Sequence, residues 1–249
     1  MRVALLSDIH ANLVALEAGL ADIGPVDGIW VMGDTVGYGP QPSEVLALLR
    51  GRGANLVAGN HDRAVATGEG LDLFNPTAAA AVRLHRAWLS AEERDHLGAL
   101  ELVARRDDAT LFHGSLVDPL WEYVFEASTA ERTLARAETS ISCNSHTHVP
   151  ALFRREGGAV RGGTVRAGRP YPLPDLASAP AAAGDRVLVN PGSVGQPRDH
   201  DAKASWAVLD DEQRTITFGR TAYDVATTQR LIRREKLPEF LAERLAFGI

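Results

Sequence analysis

Short apolar runs alternate with helical periodicity over the first sixty residues. Arg2 to Ser7, Gly28 to Met32 and Asn55 to Ala58 have the length and composition of buried strands, whereas Asn12 to Ile23 and Ser43 to Arg50 repeat their apolar positions as amphipathic helices do. The resulting βαβαβ order predicts a parallel sheet with helices packed on its outside.

Capping signals predict further helices beyond residue 62. Asn75 precedes Pro76, and the stretch 90–93 (Ser-Ala-Glu-Glu) matches a capping box, so helices are predicted over 76–88 and 91–98. We expect this pair to cover one edge or part of the roof of a cleft. The stretch from Val225 to Phe247 also has helical character, with a break at Pro238.

Strand-like segments dominate the second half. They are Ala109 to Phe112, Ser140 to Cys143, Ala151 to Arg154, Ala159 to Val165, Arg186 to Val189, Ser205 to Leu209 and Thr215 to Gly219. Short turns at 156–158 and 210–213 join neighbours as hairpins, which predicts a second, partly antiparallel sheet. The Pro- and Ala-rich stretch from Ala167 to Gly184 is interpreted as a surface excursion, so residues 1–249 are expected to form a single domain.

Composition excludes several classes of partner and compartment. A net charge of −6 and a pI near 5.8 argue against a nucleic-acid partner. The single cysteine, Cys143, rules out an internal disulfide and suits a reducing cytoplasm. The apolar stretch from Val3 to Leu6 is too short for a signal peptide, and no run approaches the roughly 20 apolar residues that cross a bilayer. We therefore expect a soluble, cytoplasmic protein without membrane contact.

Polar residues of metal-binding type follow five predicted strands. The segments are Asp8-Ile9-His10, Gly33-Asp34, Gly59-Asn60-His61-Asp62, Phe112-His113-Gly114 and Ser145-His146-Thr147-His148. Each alone is weak evidence, since Gly, Asn and Asp are also common in turns. In a parallel sheet, however, the carboxyl ends of the strands share one edge, so these side chains are expected to converge. Five of the eight histidines lie in these segments.

The donor types predict two metal ions. Oxygen and imidazole ligands suit Mn, Fe, Zn, Co or Ni better than calcium, and the seven donors besides His61 are too many for one tetrahedral ion. Paired ions in hydrolases lie about 3.5–4 Å apart and need a bridging carboxylate. Asp34 lies between the other donors in the sequence and is the natural bridge.

In this order, the motifs D-x-H, G-D, G-N-H-D, F-H-G and x-H-T-H resemble the calcineurin-like metallophosphoesterase superfamily, in particular its small prokaryotic phosphodiesterase-like branch. The resemblance implies an α/β fold, a four-layer α/β/β/α sandwich with two facing mixed sheets. It implies that His61 is the catalytic histidine. It also implies that the first ion is held by Asp8, His10 and His148, that the second is held by Asn60, His113 and His146, and that Asp34 bridges them.

The chemistry implied is hydrolysis of phosphomonoesters or phosphodiesters. Two divalent ions, with Mn the first choice and Fe, Zn, Ni or Co as alternatives, lower the pKa of a shared water and provide hydroxide for attack on phosphorus. His61 would donate a proton or a hydrogen bond to the leaving oxygen. Two carboxylates and one hydroxide leave a formal charge of about +1 at the centre, which attracts phosphate although the protein is acidic.

Two departures from the family pattern bear on the substrate. Related protein phosphatases and dinucleoside tetraphosphatases have an acidic and a basic residue shortly after the Gly-Asp block, whereas this chain has Gly33-Asp34-Thr35-Val36-Gly37-Tyr38-Gly39-Pro40. The carboxylate that orients the catalytic histidine and a phosphate-binding arginine are therefore missing, which favours small-molecule or nucleotide substrates. Ser145 replaces the usual glycine and is tolerated unless that position needs a positive φ.

Several residues have both a functional and a structural interpretation. Arg198, in the loop 190–199, could replace the missing arginine, or the loop could be a rigid turn. Tyr38 could stack on a base or line the pocket, and Asn12 could reach the phosphate or cap a helix. Asp62 could support a ligand or cap a turn. Outside these motifs, His85, His96 and His200 are expected on the surface.

Two other functions remain open at this point. The first is a scaffold of the same fold that binds partner proteins, as a retromer subunit resembling this family does; that subunit has lost its catalytic histidine, whereas His61 is present here. The second is a different metallohydrolase, since His146-Thr147-His148 alone also fits metallo-β-lactamase-like enzymes or amidohydrolases. The first block, D-x-H, argues against the second reading. The oligomeric state is not predicted.

Overall fold

The computed structural model describes residues 1–173 and 185–249. The strands within these ranges are β1 (Arg2–Leu6), β2 (Gly28–Val31), β3 (Asn55–Leu56), β4 (Val103–Arg106), β5 (Ala109–Phe112), β6 (Ile141–Cys143), β7 (Ala151–Glu156), β8 (Ala159–Thr164), β9 (Pro170–Pro172), β10 (Arg186–Asn190), β11 (Ala204–Asp210) and β12 (Thr215–Thr221). The α-helices are α1 (Leu13–Ile23), α2 (Pro42–Gly51), α3 (Asn60–Thr67), α4 (Pro76–Trp88), α5 (Ala91–Gly98), α6 (Ala127–Arg136), α7 (Val225–Arg234) and α8 (Glu239–Glu243). Short 3-10 helices span Leu71–Leu73 and Arg244–Ala246.

The three N-terminal strands form the parallel half of a mixed six-stranded sheet. Its order is β3-β2-β1-β11-β12-β9, with β1 parallel to β2 and β2 parallel to β3. β11 runs antiparallel to β1, pairing Val3 with Leu209. The last two long strands therefore complete the first sheet, whereas the sequence pattern grouped them with the second. Their hairpin turn after Asp210 is as predicted.

A second mixed sheet contains the middle of the chain. Its order is β4-β5-β6-β10-β7-β8. β5, β6 and β10 are parallel neighbours, and β7 and β8 form the predicted hairpin around residues 157–158. β5 and β6 consequently end at the same edge of this sheet, as β1 and β2 do in the first sheet.

Side-chain alternation along the strands builds four layers. On β1, Val3 and Leu5 enter the core between the sheets, whereas Ala4 and Leu6 pack against the outer helices. On the second sheet, Phe112 and Leu188 face outward and pack against Leu134 of α6. The order is therefore helices, sheet, sheet and helix, which confirms the predicted α/β/β/α sandwich.

Apart from the short 3-10 helices, four of the described elements were not predicted: α3, β4, α6 and β9. The buried positions of α6 include Ala130 and Thr133, which are too small to mark a helical apolar stripe. β9 contains two prolines, which lack an N–H group and are tolerated because β9 is the edge strand. It occupies part of the stretch interpreted as a surface excursion; residues 174–184 of that stretch lie outside the described residues.

Locally encoded helix ends agree closely with the prediction. α4 and α5 have the predicted bounds, and the side chains of Asn75 and Ser90 accept the expected capping hydrogen bonds. The C-terminal helix breaks at Pro238, as predicted. Within the described residues, no helix is both long and apolar enough to cross a membrane.

Candidate metal centre

The polar strand ends of both sheets converge into two adjoining groups of donor atoms. Asp8, His10, Asp34 and His148 form one group, and Asp34, His113 and His146 form the other; within each group the donor atoms lie within 4.8 Å of one another. All these side chains are buried. Asp34 belongs to both groups, and each group contains side chains from both sheets.

In the first group, two imidazole lone pairs face each other. Nδ1 of His10 donates to the carbonyl of Val36 at 3.0 Å, and Nδ1 of His148 donates to the carbonyl of Gln196 at 2.6 Å. Their Nε2 atoms are therefore unprotonated in the neutral rings, yet they lie 3.3 Å apart. Both carboxylate oxygens of Asp8 are buried without a hydrogen-bond partner among the described residues. A cation between these atoms would satisfy all of them.

The second group also places an imidazole lone pair beside other donor atoms. Nδ1 of His113 donates to the carbonyl of Met32 at 2.9 Å, which leaves Nε2 with a lone pair. That Nε2 lies 2.9 Å from Nδ1 of His146 and 3.0 Å from Oδ1 of Asn60. The carbonyl hydrogen bonds fix the ring orientations from outside, as is usual for histidines that bind metals.

Asp34 stands between the two groups. Its Oδ1 accepts a hydrogen bond from the backbone N–H of His61 at 2.9 Å. Its Oδ2 lies 3.7 Å from Nε2 of His10 and 3.5 Å from Nε2 of His113. One carboxylate oxygen therefore faces a nitrogen donor from each group.

Burial sets the protonation of these side chains. It raises the pKa of Asp8 to about 7 and raises the pKa of Asp34 well above its ordinary value. It lowers the pKa of His146 to about 2 and the pKa values of His10 and His148 well below the ordinary value. Neutral imidazoles beside carboxylates that lack charge compensation fit divalent transition-metal ions.

Several of the donor residues have strained backbone conformations. Asp8, His10, Asp34, His146 and His148 all have positive φ, between 47° and 70°. Each such residue costs of order 1–3 kcal/mol and persists only where the surrounding structure enforces it. Ser145 is not among the residues with positive φ. Serine is therefore tolerated there, and its hydroxyl lies 2.7 Å from Nδ1 of His113.

His61 lies beside the donors and is oriented by packing. Its ring contacts those of His10, Tyr38 and Phe74, with centroid distances of 4.4–4.9 Å. Its Nδ1 is buried without a hydrogen-bond partner among the described residues, and a Cβ added at Gly37 would lie 2.3 Å from it. Among the described residues no carboxylate bonds to this ring, as expected from the sequence.

His85 contradicts the prediction of a surface position, because its side chain is completely buried. The N–H of Gly37 donates to its Nδ1 at 3.0 Å, and its Nε2 donates to the carbonyl of Gly39 at 2.8 Å. It thus fixes the loop that carries Tyr38 beside His61. The spacing of Ala78, Ala81 and His85 along α4 was the available sequence signal, since all three lie on its buried face. His96 is partly buried and His200 is exposed, which agrees with the prediction for His200.

The loop 190–199 clamps the strand ends together. Asn190 donates to the carbonyl of Ser145 at 2.9 Å, the Ser193 hydroxyl donates to the carbonyl of Asp8 at 2.8 Å, and Gln196 holds His148. At Gly195, an added Cβ would lie 1.8 Å from the carbonyl oxygen of Ile9, so only glycine fits. The loop is therefore a rigid connection, and it also places Arg198 at the cavity described below.

Comparison with known proteins identifies the family. The model of the calcineurin-like phosphoesterase superfamily domain matches residues 1–214. The chain belongs to this superfamily. Membership confirms the resemblance carried by the five motifs and excludes a metallo-β-lactamase-like or amidohydrolase fold.

Two of the similar proteins extend over the whole chain, and a third matches a quarter of it. An uncharacterized protein of Methanocaldococcus jannaschii is 33% identical, covering 99% of this chain and 98% of its own length. The crystal structure of a metallophosphoesterase from Sphaerobacter thermophilus is 40% identical, with a TM-score of 0.87, and covers 100% of this chain and 99% of its own. A symmetrical bis(5'-nucleosyl)-tetraphosphatase of Pectobacterium atrosepticum is 39% identical over 67 residues, 25% of this chain and 24% of its own length.

A cavity of about 410 Å³ opens onto the donor groups. Tyr38 and Arg198 line it, which agrees with the functional interpretation of both residues. The sequence does not predict seven further wall residues: Leu73, Phe74, Asn75, Trp121, Tyr123, Phe240 and Arg244. Tyr123 stacks on His146 at a centroid distance of 3.9 Å and an angle of 13°. These residues lie in irregular segments or at helix ends, where no periodicity marks them.

Two other sequence candidates have structural roles. Asn12 is the N-cap of α1: its Oδ1 accepts from the N–H of Ala15 at 3.2 Å, and its Nδ2 donates to the carbonyl of Gly195 at 2.9 Å. It is not among the residues that line the cavity. Asp62 accepts hydrogen bonds from the N–H groups of Val36 and Gly59, both at 3.0 Å. It therefore ties together the loops that carry Asp34 and Asn60.

Proposed function

We propose that this protein is a binuclear metal-dependent phosphoesterase that hydrolyses phosphomonoesters or phosphodiesters of small molecules or nucleotides. The position of Asp34, which is shared by two buried donor groups, is the observation that carries the proposal. A shared carboxylate is what a pair of ions requires. Membership of the phosphoesterase superfamily supports the same reaction class.

The ligands follow from this geometry. Asp8, His10 and His148 would hold one ion, and Asp34 would bridge to a second ion held by Asn60, His113 and His146. We propose manganese as the first candidate, since mixed oxygen and imidazole donors without thiolate suit it; iron, zinc, nickel and cobalt suit them as well. When bound, such ions polarise the phosphoryl group and activate a water for attack on phosphorus.

His61 is proposed to act on the leaving oxygen. Its Nδ1 faces Gly37, and burial is the main reason that its pKa lies well below the ordinary value. Packing against Phe74 and Tyr38 holds the ring without a carboxylate partner. From this position Nε2 can donate a hydrogen bond to the oxygen that develops charge as the ester bond breaks.

The cavity favours substrates that are small and planar. Tyr38, Phe74, Trp121, Tyr123 and Phe240 contribute aromatic side chains to a cavity of about 410 Å³, a size suited to a small ligand. Aromatic faces bind nucleobases or aryl groups by stacking. We therefore propose nucleotides or comparable small phosphate esters as substrates, and not phosphoproteins or nucleic-acid polymers.

We also propose that residues 1–249 form one catalytic domain. The C-terminal segment supports this, because the Thr228 hydroxyl donates to Oδ1 of Asn12 at 3.0 Å and Phe240 and Arg244 line the cavity. The lone, buried Cys143 suits a reducing compartment, so we propose a cytoplasmic location.

Metal content and turnover together test the function. The protein would be stripped with a chelator, reconstituted with manganese and assayed with p-nitrophenyl phosphate and bis(p-nitrophenyl) phosphate. We expect two ions per wild-type chain and hydrolysis of at least one ester. Asp34→Ala should lose both metal and activity, whereas Asp95→Asn, an exposed position on α5, should retain both. Absence of bound metal would refute the proposal, and metal without turnover would favour the scaffold function.

A further inference from the structure

His146 is held differently from the other three histidines of the donor groups. His10, His113 and His148 each donate from one ring nitrogen to a backbone carbonyl, at 2.6–3.0 Å. Nδ1 of His146 faces the second group, 2.9 Å from Nε2 of His113, but its Nε2 is buried without a hydrogen-bond partner among the described residues. The backbone of Trp121 is near the ring, yet no hydrogen bond of ordinary geometry forms. A hydrogen bond on the outer side therefore does not set the direction of the His146 ring.

The ring of Tyr123 is the group that packs on this imidazole. The two rings are nearly parallel, with a centroid distance of 3.9 Å and an angle of 13°. On another side the ring of His113 lies at 4.6 Å and 59°. Tyr123 is 45% exposed whereas His146 is only 4% exposed, so the tyrosine shields the imidazole from solvent. Turning the imidazole away from His113 would separate the two stacked faces.

The segment between β5 and α6 holds Tyr123 in this place. At its start, the N–H of Gly114 donates to the carbonyl of Pro119 at 2.7 Å, which closes a compact turn. At its end, Val124 is buried in a cluster that also contains Leu134 of α6. Tyr123 is thus anchored by its neighbour in the chain, and its own ring is free to cover His146.

An aromatic face suits an imidazole that binds a metal ion. A coordinated imidazole carries part of the charge of the ion, and the face of an aromatic ring attracts positive charge. Stacking also adds to the free energy gained from burial alone. A ring that is already directed at the ion loses little conformational freedom when the ion binds, which favours binding.

We infer that Tyr123 is a positioning residue, which directs Nδ1 of His146 toward the second ion. This inference rests on the proposed function, which assigns His146 to that ion. The first ion has no such dependence, because carbonyl groups orient both His10 and His148. Loss of the Tyr123 ring should therefore weaken the binding of one ion and leave the other unchanged.

Equilibrium dialysis of chelator-stripped protein against manganese measures both binding steps without turnover. The wild type should bind two ions, and Tyr123→Leu should weaken one step about tenfold while the other stays at the wild-type value. Tyr123→Phe keeps an aromatic face and should retain most of the affinity. Phe240→Leu removes another exposed ring from the cavity wall, one that contacts no histidine ring among the described residues, and should match the wild type.

The melting temperatures of the metal-free proteins would establish that the variants fold. Because Tyr123 is half exposed, its replacement should leave them near the wild-type value. Equal weakening of both binding steps, no weakening, or a wild type that binds a single ion would each overturn the inference.

The manganese dependence of p-nitrophenyl ester hydrolysis separates positioning from substrate contact. For Tyr123→Leu, the manganese concentration that gives half-maximal activity should rise about tenfold, whereas kcat at saturating manganese stays near wild type because excess metal refills the site. A lower kcat at saturating manganese with unchanged metal affinity would assign Tyr123 to the substrate and overturn the inference. If metal binding depends on Tyr123 as expected but no ester is hydrolysed, the proposed function fails while the positioning role stands.

Discussion

Replacing His85 with glutamine should remove part of the pH dependence of stability. The ring of His85 accepts from the N–H of Gly37 and donates to the carbonyl of Gly39, which requires the neutral tautomer protonated on Nε2. Protonation would direct a second N–H at the N–H of Gly37. Burial therefore lowers the pKa of His85 from 6.5 to about 4.

The sign and size follow from linkage. The folded-state pKa lies below the unfolded value of 6.5, so the unfolded chain binds the proton first as the pH falls. The stabilisation is fully present above pH 6.5 and is lost progressively toward pH 4. Acidification from about pH 7.5 to about pH 5.5 should lower the free energy of unfolding by about 1 kcal/mol through this one side chain.

Urea unfolding at these two pH values measures the effect. The loss of stability on acidification should be smaller by about 1 kcal/mol in His85→Gln than in the wild type. His200→Gln, at an exposed position, is the matched control and should behave like the wild type. Because the two proteins are compared with each other, the contributions of the other buried histidines to the pH dependence cancel. If His85→Gln and the wild type lose equal stability, the neutral tautomer is not what holds the loop.

Three further predictions concern the proposed centre. His61→Ala should retain metal but lose about 10²–10⁴ in kcat, as measured with p-nitrophenyl esters; unchanged turnover would remove its catalytic role. Gly37→Ala should also lower kcat while metal content stays near wild type, because φ is 88° and the new Cβ would collide with Nδ1 of His61. Metal affinity should fall at least tenfold per pH unit below the Asp8 pKa of about 7, since binding must displace the Asp8 proton and the raised pKa of Asp34 adds to the loss; a flat affinity profile from competition with a chelator would refute this.

Much of the site could be predicted because the local sequence encodes its positions. Strand ends can be recognised from a few apolar residues followed by Asp, His or Asn, and in parallel strands these ends share an edge. Asp8, Asp34, His113 and His148 were placed together on this basis, and their side chains do converge. Their roles as ligands remain predictions that metal analysis must test.

Other features depend on contacts between distant residues. The side chain of His85 bonds to groups 46 and 48 residues away, and the spacing in α4 alone does not reveal such a partner. Arg244 shares the cavity with Arg198 only because the C-terminal segment packs over Asn12 and Tyr38. The assignment of β11 to the first sheet likewise depends on its pairing with β1, more than 190 residues earlier.

The sequence by itself therefore determined the type of most elements, the caps of α4 and α5 and the donor types at each strand end, because these depend on neighbours within one or two turns. Only the tertiary structure decided which sheet each late strand joins and which aromatic side chains and arginines line the cavity. The physical reason is that burial and charge pairing are properties of surfaces brought together by folding, and no local pattern specifies the partner.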